Sequence, residues 1–391
     1  MEASSLAVQE IWDQVLDHLA AHSDLKSCAL VCRVFVLSAQ ALLFHYVRTH
    51  LAGRQMSSCL NGRPFPLTMS TNRLSDFASQ APHLIDHIRE LSIVECDGET
   101  LAPIVEISWS RLRAITFERA LSREMGLLAA DADAVVLVSA LVALPTLREI
   151  SFSSFYCGSE LLTILAKCGA QVCSLKFDHS DISDTALTHA HAPLPSDPRY
   201  PRPRITSLGM SVAGAIPDVI HSATSPLDLS HLNHISFLIR LSTGILPLLH
   251  DSKNTVRSLE FDGKEPDIEF LDFGAFPALS HIKLWNGTEG LAKALEISTP
   301  LIHLHTISYS LSYSLLDSEM LLLRIMPLPL LDSLVSNSVS KLPALRRVVV
   351  QLVATEYNPG HEALTSAIEN QVPWLVQNGL LVIEITRWER D

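Results

Sequence analysis

Leu147-Arg148-Glu149-Ile150-Ser151-Phe152 decides the fold, because variants of it return along most of the chain. Leu112-Arg113-Ala114-Ile115-Thr116-Phe117 keeps the same order, as do Leu279-Ser280-His281-Ile282-Lys283-Leu284 and Leu345-Arg346-Arg347-Val348-Val349-Val350. At the centre of each copy a middle residue stands between two apolar ones. Leu91-Ser92-Ile93, Leu175-Lys176-Phe177, Ile235-Ser236-Phe237, Leu259-Glu260-Phe261, Ile307-Ser308-Tyr309 and Ile383-Glu384-Ile385 are further copies, and Ile205-Thr206-Ser207-Leu208 is a looser one. Alternation of this kind is the period of a half-buried strand. Most copies recur about every 25 residues, the spacing of a stacked array that adds one short strand per unit. Intervening stretches such as Leu161–Ala166 and Gly290–Leu295 read as return helices. The expected architecture over residues 83–391 is α/β: an irregular solenoid whose strands form a curved parallel sheet.

The strand face of a solenoid usually supplies its recognition surface. The exposed middle residues Ser92, Ser151, Lys176, Ser236, Glu260 and Lys283 are therefore the candidate substrate-binding positions. Residues 191–204 interrupt the array with five prolines (Pro193, Pro195, Pro198, Pro201 and Pro203), which exclude a regular helix or central strand and favour an exposed loop.

Before the array the texture is helical. Ile11, Val15 and Leu19 recur every four residues with Leu16 beside them, and Glu10 and Asp13 lie in the first turn, where the helix dipole favours negative charge. Ser23 is a suitable N-cap for a second helix carrying Leu25, Cys28, Ala29 and Cys32, and a third is expected near Ser38–Val47. Three short helices bury too little surface to be stable alone, so a partner or neighbouring domain must complete them. The expected organisation is a helical domain over 5–50, a linker or docking segment over 51–82, and the solenoid over 83–391.

The first helices also resemble a known family. Glu10-Ile11-Trp12-Asp13-Gln14-Val15-Leu16-Asp17-His18-Leu19, followed by Asp24-Leu25-Lys26-Ser27-Cys28-Ala29-Leu30-Val31-Cys32-Arg33-Val34-Phe35, resembles an F-box of the style found in mushroom-forming basidiomycete fungi. The match falls on Glu10, Ile11, Val15, Leu19, Asp24, Leu25, Val31, Cys32, Arg33 and Phe35, while Ala7-Val8 stands where the family opens with Leu-Pro. The repeats are similar to the leucine-rich-repeat-like arrays that often follow F-boxes. The resemblance implies a non-catalytic substrate receptor. Its F-box docks on a Skp-family adaptor, which links it to a cullin-RING ubiquitin ligase, and its repeats hold a protein substrate. On that resemblance Val8, Glu10, Ile11, Leu16, Leu25, Leu30 and Val31 are the adaptor-binding positions, and no enzyme activity or cofactor is implied. Two alternatives stay open: an F-box scaffold acting outside ubiquitination, and a hydrolase site in the repeats.

Composition narrows the remaining classes. Hydrophobic residues make up 48% and charged ones 18%, which excludes disorder as the main state. With 29 basic and 42 acidic residues the net charge is −13, which argues against a general nucleic-acid binder. No apolar run is long enough for a membrane span, and the acidic start lacks the features of a secretory signal. Seven cysteines at irregular spacing fit reduced thiols, so a cytoplasmic or nuclear location is expected. Cys28 and Cys32 with His18 and His22 have ligand spacing, but Cys28 and Cys32 already belong to an apolar helix face, and no metal is expected. His179, His189 and His191 with Asp178, Asp181 and Asp184 read as ordinary polar loop residues. Gly209-Met210-Ser211-Val212-Ala213 lacks the second glycine of a nucleophile elbow.

Overall fold

The computed structural model describes residues 15–16, 22–31, 33–50, 67–118, 132–157, 160–182, 202–211, 216–222, 225–238, 245–262, 268, 271–285, 287–313, 327–354 and 361–387. The chain divides into two units, Met1–Arg204 and Ile205–Asp391.

In the first unit the repeat triplets become strands. β1 (Tyr46–His50), β2 (Leu67–Ser70), β3 (Glu90–Val94), β4 (Ala114–Glu118), β5 (Glu149–Ser153) and β7 (Ser174–Asp178) form a parallel sheet in the order β2-β1-β3-β4-β5-β7. Two short strands, β6 (Tyr156–Cys157) and β8 (Asp181–Ile182), pair separately. The register sets like on like: Leu91, Ile115, Ile150 and Leu175 form one row, and Ile93, Phe117, Phe152 and Phe177 form the next. Both rows are withdrawn from solvent. Phe152 stacks on Phe117 and on Phe177, each at 5.5 Å between centroids, and meets Phe155 edge-on at 5.8 Å.

Among the described residues this unit has the helices α1 (His22–Val31), α2 (Arg33–Leu43), α3 (Thr71–Gln80), α4 (Pro82–Ile85), α5 (Gly98–Val105), α6 (Ala132–Val142) and α7 (Glu160–Leu165), and 15–16 are helical as well. Ser70 caps α3 by accepting from the Arg73 N–H, and Asp97 caps α5 through the Thr100 N–H at 2.7 Å. α5 packs beside α6 and α6 beside α7, as expected when crossovers between neighbouring parallel strands share one hand. Leu101, Ile104, Val138, Leu141, Leu161 and Ile164 are accordingly buried. The recurrent leucine of the lead-in has the same cause, since Leu112 and Leu147 are fully enclosed where each strand begins.

The second unit repeats the plan in simple sequence order. β9 (Ser207–Ser211), β10 (His234–Phe237), β11 (Ser258–Asp262), β12 (His281–Trp285), β13 (Thr306–Tyr313), β14 (Arg347–Ala354) and β15 (Leu381–Arg387) pair in parallel, each with the next. Between them lie α8 (Ile216–His221), α9 (Ile245–Ser252), α10 (Glu289–Ile297), α11 (Pro327–Asn337), α12 (His361–Gln371) and α13 (Pro373–Gln377). Phe237 stacks on Phe261 at 5.7 Å, and Phe261 on Phe273 at 5.9 Å, continuing the ring-on-ring packing.

Three expectations change. Every quoted triplet lies in a strand except the loose one, where Ile205 and Thr206 precede β9. The third expected helix, near Ser38–Val47, stops at Leu43: Tyr46-Val47-Arg48-Thr49 is a β-favouring run, and its pairing with β3 buries Val47. Residues 46–50 therefore belong to the sheet, and the expected linker 51–82 contains β2 and α3 and ends on the first residue of α4. Of the expected proline-rich loop, 191–201 lies outside the described residues.

Candidate functional site

The helical segment buries one side and exposes apolar side chains on another. Leu16, Leu25 and Leu43 form a small buried cluster, with Cys28, Phe35, Leu42 and Phe44 packed against it. Phe44 also stacks on Phe77 of α3 at 5.0 Å. Leu30, by contrast, is 88% exposed and Leu37 67%, with Val15 at 45%. Of the expected adaptor-binding residues, then, Leu16 and Leu25 face inward and Leu30 outward. Val31 ends α1, its side chain outside the described residues, as are Val8, Glu10 and Ile11. Leu37 was not singled out by sequence. Its signal is the composition of α2, whose run Val34-Phe35-Val36-Leu37 is wider than one buried stripe can absorb. Cys28 packs as a small hydrophobe, and no group of potential metal ligands occurs among the described residues.

On the polar face of the first sheet the register aligns Arg48, Ser92, Thr116, Ser151 and Lys176 across neighbouring strands. Ser151 and Lys176 are partly exposed there, and Lys176 Nζ lies 2.5 Å from Glu149 Oε1. Ser92 differs from its expected exposure: it is fully buried. β1 and β4 flank β3, so Arg48 and Glu118 reach across Ser92 and meet at 2.5 Å. The Ser92 hydroxyl donates to the other Glu118 oxygen at 2.6 Å.

The second sheet has a richer polar face. Ser236, Glu260, Lys283 and Ser308 are aligned by register, and residues two positions along each strand share their face. Glu260 is the hub. It accepts from Trp285 Nε1 at 2.7 Å and pairs with Lys283 Nζ at 3.0 Å, while His234 Nε2 stands 3.8 Å away. Lys283 also lies over the Trp285 ring, 4.6 Å from its centroid, a cation–π contact. Burial pushes the Glu260 carboxyl upward, but Lys283, the Trp285 N–H and His234 outweigh it and hold it below its ordinary value. His281 is pushed down by burial, then by the charges of Arg347, Lys283 and His234.

Ser236, Glu260 and Lys283 are thus brought together on one face. Trp285, His234 and His281 join them and were legible only as residues at even spacing from the middle positions. The hydroxyl of Ser308 lies 3.0 Å from His281 Nε2, but Ser308 is 2% exposed, so the contact is an internal hydrogen bond without room for a substrate carbonyl. Gly209, Met210 and Ser211 lie within extended β9, with Gly209 and Met210 in register with β10, and not on a strained turn. The face thus leaves an aromatic ring, a cation, two imidazoles and the Ser236 hydroxyl partly exposed side by side. No helix among the described residues is long and apolar enough to cross a membrane. Comparison with models of known protein families and with curated proteins finds no match for this chain.

Proposed function

We propose that the chain is a substrate-recognition adaptor of a Skp–cullin–F-box ubiquitin ligase, with its F-box-like helices docking on the Skp-family adaptor and its leucine-rich-repeat-like strands holding a protein substrate. The observation that carries this reading is the pair Leu30 and Leu37, large apolar side chains left in solvent on helices whose sequence has F-box spacing. Solvent-exposed leucines on a short helical unit favour helix-in-groove association. The mixed aromatic and charged surface around Trp285 supports the second half of the reading, since such residues dominate recognition hot spots.

The test is co-purification of the full chain with a Skp-family adaptor. The wild-type chain should retain the adaptor, and Leu30→Asp should release it without lowering the melting temperature, because Leu30 contributes nothing to the core. Retention by Leu30→Asp and Leu37→Asp alike, or no capture by the wild type, would remove the proposal's support.

A further inference from the structure

The residues that precede β3, β4 and β5 occupy one equivalent place in the ladder. The Arg113 N–H donates to the Arg89 carbonyl at 2.7 Å, and the Arg148 N–H donates to the Arg113 carbonyl at 2.8 Å. Arg89, Arg113 and Arg148 are therefore stacked on adjacent strands at the ladder spacing of about 4.8 Å. Arg111 joins them, its carbonyl accepting from Arg89 Nη1 at 3.4 Å. The four arginines, with Ser110, Pro145, Thr146 and Gln171, line a cleft of about 540 Å³, a size typical of small-ligand sites.

Asp86 offsets part of their charge. Among the described residues none of the four makes an ion pair with a carboxylate. Glu149, beside Arg148, is held by Lys176, and Asp86 accepts the Ser110 hydroxyl. Stacked like charges repel. Arg89 accordingly sits below its ordinary guanidinium value, first through burial and then through Arg111 and Arg113, against an opposing pull from Asp86. The cluster is a locally cationic site on a chain of net charge −13.

We propose that this cleft binds a phosphate group carried on an organic ligand. A phosphate brings nearly two negative charges and three acceptor oxygens, enough to engage several planar guanidinium forks at once. A carboxylate brings one charge and two oxygens and leaves most of the cluster unsatisfied. The volume beyond the arginines admits the ester that bears the phosphate. That ester is either a small phosphorylated molecule or a phosphorylated side chain of another protein. The inference rests on the first unit alone and holds whether or not the helices bind a Skp-family adaptor.

The test is calorimetric titration of the full chain with pyrophosphate, a phosphoserine peptide, the same peptide unphosphorylated, and citrate. Saturable binding of pyrophosphate or the phosphopeptide is expected, weakened about tenfold or more by Arg113→Gln and by Arg148→Gln. Arg346→Gln, at the same lead-in position of the second unit, should leave it unchanged. Tighter binding of the phosphopeptide assigns the phosphate to a protein partner, and tighter binding of pyrophosphate assigns it to a small molecule. Both variants should melt no lower than the parent, because each removes an exposed repelling charge. The proposal is overturned by the absence of saturable phosphate binding, by citrate matching pyrophosphate, or by variants that bind as the parent does.

Discussion

Arg48→Met should loosen the edge of the first sheet that carries the helical segment. The Arg48 and Glu118 side chains are only 11% and 12% exposed and meet at 2.5 Å, so each relies on the other for its charge compensation. Removing one partner of such a pair leaves an uncompensated buried charge and costs about 3–5 kcal/mol. Glu118 keeps the Ser92 hydroxyl at 2.6 Å, which places the loss toward the lower part of that range. The pair is itself imperfect, since Arg48 Nε is buried without a partner. Replacing both members, as Arg48→Met with Glu118→Leu, should therefore recover most of the loss, because desolvation disappears together with the attraction. Amide hydrogen exchange over Tyr46–His50 is the assay, as it reads local opening in a chain of two units. The single variant should lose about a hundred- to a thousandfold in protection, by the conversion of 1.4 kcal/mol per factor of ten. Amides of β10 to β12 should not change. Unaltered protection in Arg48→Met, or a double variant as weak as the single, would refute the reasoning.

Phe152→Ala removes the ring shared by Phe117, Phe155 and Phe177 and should destabilise the first unit by about 3–5 kcal/mol, read from urea unfolding at constant slope. Two groups of the second unit make stability fall on acidification. Glu260 lies below 4.5 in the folded chain, so its contribution is complete above that value and is lost as pH falls through the folded pKa; Glu260→Gln should flatten the acid limb of the melting curve. His281 lies below 6.5 when folded, so the unfolded chain takes up the proton first and stability declines as pH drops below 6.5; His281→Asn should remove that slope. Burial pushes the Cys168 thiol up to about 12, so it should resist thiol reagents at neutral pH until the first unit unfolds, while half-exposed Cys173 reacts in the native protein.

The repeat strands were legible because both of their determinants are local. Alternation places Ile150 and Phe152 on one face whatever the rest of the chain does, and the lead-in leucine marks where each strand enters the core. The first two strands were not legible. Val47 and Leu67 lie in short runs without the lead-in, and a helical reading of 38–47 fits the composition as well as a strand does. Pairing with Leu91 and Ile93 decides between them, and that pairing joins residues more than forty positions apart. The candidate site divides in the same way. Glu260 and Lys283 are readable as middle residues of their triplets, whereas Trp285 and His234 become their neighbours only when the strands are in register.

Taken by itself, the sequence determined the strand triplets and the parallel α/β arrangement they require, because hydrophobic periodicity acts over a few residues. Only the tertiary structure decided that Ser92 is sealed beneath Arg48 and Glu118, that Leu30 is left in water while Leu25 is not, and that Arg89, Arg113 and Arg148 stand in one column. Each of these depends on which segments lie side by side, and that follows from long-range pairing, which no short stretch of chain encodes.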